Sequence, residues 1–135
     1  MARIRPGSCE QRGATEGITR VVKPVRAISI RQPYVEQILR GTKKAEYRSK
    51  LTRIRERIYL YASQKPADDP EAWRRVKAAP GDLPAGMILG SVEIVDCRQG
   101  SRKDIFHYIL ARPKRFRTPL RAKNQPQPVF WRPVF

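Results

Sequence analysis

Residues 31–48 read RQPYVEQILRGTKKAEYR, and the rest of the chain is organised around them. Pro33 fits the first turn of a helix, where its missing N–H costs nothing. Tyr34, Val35, Ile38 and Leu39 then form one apolar stripe on a 3.6-residue period, with Glu36, Gln37 and Arg40 on the other face. Gly41 follows the last periodic residue, where a left-handed backbone favours glycine. The chain next delivers Lys43, Lys44, Glu46 and Arg48 to a strand over 43–48. Strand alternation turns Glu46 and Arg48 the same way, and Lys43 can reach them only from the strand's start or the turn before it. A cation, a carboxylate and a guanidinium this close form either a structural ion-pair knot or a polar site.

Working outward, VRAISI (25–30) alternates as a first strand on the N-terminal side. On the other side, SKLTRIRER (49–57) is a basic connector, and IYLYA (58–62) is a core strand. Asp69 suits a helix N-cap and Pro70 the first helical position, which predicts a helix over 70–78. It buries Trp73 and Val76 and shows Arg74, Arg75 and Lys77 to water. PGDLP (80–84) is a turn, and GMILGSVEIVDC (86–97) is the strongest strand; Gly90 within it marks a bulge or a close backbone approach. Glu93 faces outward by default, with the same pocket as Lys43 as the alternative. FHYILA (106–111) is another strand, and His107 reads as a strand-surface or core-edge residue. Residues 112–123 hold Arg112, Lys114, Arg115, Arg117, Arg121 and Lys123 without an acid, interleaved by Pro113, Phe116 and Pro119. That pattern predicts an extended, kinked ribbon able to track a phosphate backbone. PVFWRPVF (128–135) closes the chain as a last strand.

Residues 1–23 show scattered glycine and charge with no sustained period, so they read as a flexible basic arm ahead of a domain over 24–135. About six short strands and two helices predict an α+β, mainly β domain. A small sheet burying both faces tends to curl and close into a β-barrel.

At these residues the chain resembles the ASCH (activating signal cointegrator homology) family, whose pattern runs roughly S-x-x-x-P-[YW], a helix, then G-x-K-x-x-E-x-R. The matches are Ser29, Pro33, Tyr34, Gly41, Lys43, Glu46 and Arg48, and the stretches 86–97 and 113–133 agree as well. The resemblance covers about Val25 to the end. It implies a PUA-like closed β-barrel of about six strands, with the first helix across an opening and a pocket lined by the region of Gly41–Arg48. Relatives in the superfamily include an amidohydrolase that deacetylates acetylcytidine, and others reported as ribonucleases. In the amidohydrolase a lysine matching Lys43 acts with a threonine and a glutamate. Glu46 stands at the threonine's position here, a departure that weighs against deacetylation.

Charge points to the partner. Twenty-nine Lys plus Arg against twelve Asp plus Glu give +17, a surplus that draws polyanions. RNA is the expected partner, because single-stranded bases can be splayed outward, with DNA as the alternative. The residues expected to hold it are Arg31, Gln32, Tyr34, Lys43, Lys44, Arg48, Arg53, Arg112, Lys114, Arg115 and Arg117. Tyr34 either stacks on a base or packs in the core. The enzymatic alternative is a small hydrolase using Lys43 and Glu46. Cys9, Cys97 and the single His107 build no metal site, so no cofactor is expected. Reduced thiols suit a cytoplasmic protein, with Cys97 a small buried hydrophobe. No apolar run reaches bilayer length, so no membrane partner is expected, and the chain reads as a monomer.

Overall fold

The computed structural model describes residues 23–135; Cys9 and nearly all of the expected arm lie outside that range. The described residues fold into six strands and two short helices: β1 (Ala27–Arg31), α1 (Tyr34–Arg40), β2 (Ala45–Arg48), β3 (Arg57–Ser63), α2 (Pro70–Val76), β4 (Met87–Gln99), β5 (Phe106–Leu120) and β6 (Phe130–Trp131). All six strands join one sheet in the order β2-β5-β4-β3-β1-β6. β1 and β3 run parallel, and every other pair is antiparallel. The sheet curls into a half-barrel, the mainly β, PUA-like α+β architecture expected. No backbone ladder joins its edges β2 and β6. A side chain spans that side instead: Arg48 Nη2 of β2 donates to the Ser29 carbonyl of β1 at 2.8 Å.

The curl follows from β4 and β5, which shift register after Ile88, Ser91 and Ile94. Gly90 stands at the first shift. A Cβ there would sit 2.2 Å from the Lys114 carbonyl oxygen and 2.8 Å from Leu39 Cδ2, so only glycine lets β5 and α1 approach so closely. The basic ribbon is the outer half of β5, bent where Arg112 adopts φ 53°.

One face of the sheet carries the main core. Ile28, Ile30, Ile58, Leu60, Val92 and Ile94 pack there with Val35 and Ile38 of α1. A second cluster, Ala27, Tyr59, Tyr61, Ile88 and Trp131, gathers separately from it. β3 feeds both, which explains its continuous burial from Ile58 to Ala62. Trp73 is a packing residue as expected: it is buried, and its Nε1 donates to the Ala67 carbonyl at 3.0 Å. Cys97 is half-buried rather than buried, at the core's margin. Among the described residues, no helix is long and apolar enough to cross a membrane.

α1 departs from its helical wheel at one residue. Glu36, on the expected solvent face, is buried. Its carboxylate accepts from both terminal nitrogens of Arg115, at 3.0 and 2.9 Å, and from Arg40 Nε at 2.7 Å. The wheel counts only apolar contact, whereas β5 meets this face with a guanidinium. Burial pushes the Glu36 carboxyl up, but the two arginines outweigh it and hold the group below its ordinary value.

Candidate nucleic-acid interface

The local geometry of α1 delivers the site. Pro33 sits one position outside the helix, and its carbonyl accepts the first helical hydrogen bond, from Gln37 N–H at 3.0 Å. At the other end Gly41, at φ 84°, reverses the chain. Its N–H donates to Ile38, and those of Thr42 and Lys43 both donate to Gln37. This closure satisfies the helix's last carbonyls and turns Lys43 back toward β2. The side chains then meet as alternation predicts. Glu46, 7% exposed, accepts from Arg48 Nε at 2.8 Å, and Lys43 Nζ lies 3.9 Å from its other oxygen.

The knot is not dry. In front of Glu46 and Arg48 opens a cleft of about 730 Å³. Arg31, Tyr34, Tyr47 and Lys65 also line it, with residues 125–128 (QPQP) as the far wall. Its cations are Arg31, Arg48 and Lys65, and its one carboxylate, Glu46, is already bonded to Arg48. The potential in the cleft is therefore positive. Ser29 fixes the far wall to the sheet: its N–H donates to the Val129 carbonyl at 3.0 Å and its hydroxyl to that of Gln127 at 2.8 Å. With Arg48 on its own carbonyl, Ser29 ties three separate stretches of chain to the rim.

A second hollow of about 570 Å³ adjoins the cleft and shares Tyr34, Glu46 and Tyr47 with its lining. Lys43 stands in its wall, 15% exposed at the side chain, with Nζ 5.2 Å from the Tyr34 ring centre and 4.4 Å from that of Tyr47. Burial lowers the Lys43 pKa, and the nearby Arg48 adds to that; the Glu46 and Asp69 carboxylates oppose it without cancelling it. Tyr34 is half-buried, and its hydroxyl donates to Asp69 Oδ2 at 2.6 Å. Burial, then that bond and the Asp69 charge, push the phenol up to about 12.

The expected contact residues fall into groups. Arg31, Tyr34 and Arg48 come together at the cleft, and Lys43 joins Tyr34 at the second hollow. Lys44 and Arg112 flank a smaller depression of about 250 Å³ beside β5. Arg53, Lys114 and Arg117 are exposed but line none of these hollows. Arg112 is ion-paired with Glu93, which therefore stays out of the Lys43 hollow. Arg115 is held by Glu36. Gln32 is 2% exposed, and both ends of its side chain are engaged: Oε1 by Glu36 N–H and Nε2 by the Pro84 carbonyl. Its position is that of a structural residue at the head of α1. Lys65, Tyr47 and the wall 125–128 were not singled out from the sequence. Nothing local marks Lys65, and Tyr47 alternates away from Glu46 and Arg48. The wall carried a signal only as part of the resembling stretch 113–133.

A curled PUA-like sheet with a positive cleft beside a G-x-K-x-x-E-x-R loop defines a class of small nucleic-acid-associated domain. A model of the ASCH domain matches residues 28–116, and the chain belongs to the ASCH family, which is associated with nucleic-acid binding. It is similar to activating signal cointegrator 1 of Homo sapiens, 31% identical over 80 residues. The Mus musculus protein of that name matches equally. The alignment covers 52% of this chain but 14% of either relative, so the similarity concerns one part of those larger proteins.

Proposed function

We propose that this domain binds single-stranded or structured RNA in the cleft next to the G-x-K-x-x-E-x-R motif. The observation that carries the reading is the cleft's charge: with Glu46 paired to Arg48, Arg31 and Lys65 are left in excess around a space of nucleotide scale. Arg31 and Lys65 hold phosphates, which fix a strand's position without reading its sequence, while Arg48, engaged by Glu46 and the Ser29 carbonyl, shapes the rim between them. Single strands suit a concave cleft, because their bases turn outward freely. Lys44, Lys114 and Arg117 extend the field along β5, consistent with the +17 total, while Arg112 is offset by Glu93.

The test is equilibrium binding of a single-stranded RNA across a salt series, with DNA of the same sequence and the duplexes in parallel. Two phosphate contacts predict a slope of log K against log salt of about −1.4, at roughly −0.7 per contact. Arg31→Ala and Lys65→Ala should each flatten it by about 0.7. Affinity that ignores salt, or no binding in dilute buffer, overturns the reading; stronger binding to DNA reassigns the partner.

One observation favours a second reading, a hydrolase acting on RNA or a modified nucleoside: Lys43 is half-buried, its pKa is lowered, and it lines a hollow. An unprotonated lysine beside Glu46 has the chemistry of a base or nucleophile. Two aromatic rings and Glu46, however, surround the ammonium in a way that favours its charged form. Loss of turnover of an acetylated nucleoside in Lys43→Ala, with RNA affinity intact, would make this the function.

A further inference from the structure

Tyr47 has no part in the core. It is 55% exposed, and it lines both the cleft and the second hollow. Two neighbours fix it: the His107 ring meets it at 66° with centres 4.6 Å apart, and Lys43 Nζ stands 4.4 Å from its centre. We propose that Tyr47 is a stacking platform for a single nucleobase, taken on the part of its ring that Lys43 Nζ does not already cover, and that the strand runs on from there between the cleft and the adjoining hollow. This inference rests on the RNA-binding reading above and adds the mode of contact.

Three features support it. An exposed aromatic already held by its neighbours loses little rotamer freedom when a base settles on it. Both hollows, at about 730 and 570 Å³, fall within the size range of small-molecule pockets. Their charges also differ. The cleft sets Arg31, Arg48 and Lys65 against Glu46, while the second hollow sets Lys43 and Arg75 against Glu46, Asp69 and Glu71. Phosphates are therefore retained on the cleft side, and an uncharged base is the part of a nucleotide that the second hollow admits. Stacking needs no particular base, so the platform contributes affinity without sequence preference.

The experiment compares a short oligouridylate with the abasic ribose-phosphate chain of the same length, across a salt series. Wild type should prefer the base-bearing chain by at least about fivefold, the lower end of what one stacked base contributes. Tyr47→Phe should keep that preference. Tyr47→Leu and Tyr47→Ala should lose it while the salt slope stays unchanged, since no phosphate contact is removed. Equal affinity of wild type for the two chains, with a steep salt slope, overturns the stacking inference and leaves the RNA-binding reading standing. A preference that survives in Tyr47→Leu also overturns it. If wild type binds neither chain at low salt, both proposals fall.

Discussion

Replacing Arg48 by methionine keeps much of the side chain's bulk and removes its guanidinium. Two bonds go with it: Nε to Glu46 at 2.8 Å, and Nη2 to the Ser29 carbonyl at 2.8 Å. Glu46, 9% exposed at its side chain, is left with Lys43 alone at 3.9 Å. Breaking a fully buried ion pair costs about 3–5 kcal/mol. The Arg48 side chain is 21% exposed beside an open cleft, so solvent recovers part of that. Losing the bond to the Ser29 carbonyl adds about 1 kcal/mol. The expected destabilisation is about 2–4 kcal/mol, read by urea unfolding at neutral pH. The decisive measurement is a double-mutant cycle with Glu46→Gln. Removing both charges should restore part of the loss, because Glu46 is no longer a stranded carboxylate; the rest remains because Lys43 loses its partner. A single-mutant cost under about 0.5 kcal/mol, or a coupling near zero, would refute the reasoning by showing an ordinary surface contact.

Gly90→Ala should destabilise the domain by about 1–3 kcal/mol or more in the same unfolding assay, since the new methyl group meets the backbone carbonyl of Lys114. Glu36→Gln should flatten the acid limb of the stability curve. The folded-state pKa lies below the ordinary 4.5, so the stabilisation is complete above 4.5 and disappears as pH falls through the folded value. Unfolding of wild type and variant from pH 7 down to the acid range checks this. Lys43→Met should act at the alkaline end. Because the folded-state pKa is below 10.5, the unfolded chain binds the extra proton, and wild type gains stability as pH rises toward 10.5. The variant lacks that gain, which denaturation at neutral and alkaline pH would measure.

Local chemistry was legible where it was sufficient. Gly41 ends α1 because its backbone must turn left-handed, Asp69 caps α2 through Ala72 N–H at 3.1 Å, and alternation put Glu46 and Arg48 on one side. Gly90 announced a close approach without naming what approached. Hidden were the contacts between residues far apart in the chain. Arg115 reaches Glu36 across 79 positions, which turns an expected phosphate ligand into a strut and an expected surface acid into a buried one. Gln32 looked available because a polar residue before a helix usually is; the Pro84 carbonyl engages it from 52 positions away. The parallel pairing of β1 with β3 left no trace in either strand, because the pattern within a strand does not say which neighbour it takes or in which direction.

Ser29 bonds to Gln127 and Val129, which lie beyond the residues matched by the family model. During synthesis from the N-terminus, β1 to β5 emerge before the segment that encloses the cleft, and Trp131, which completes the second apolar cluster, emerges after it. The rim of the cleft is therefore completed only when residues 127–129 dock on Ser29, after the strands they close against have formed.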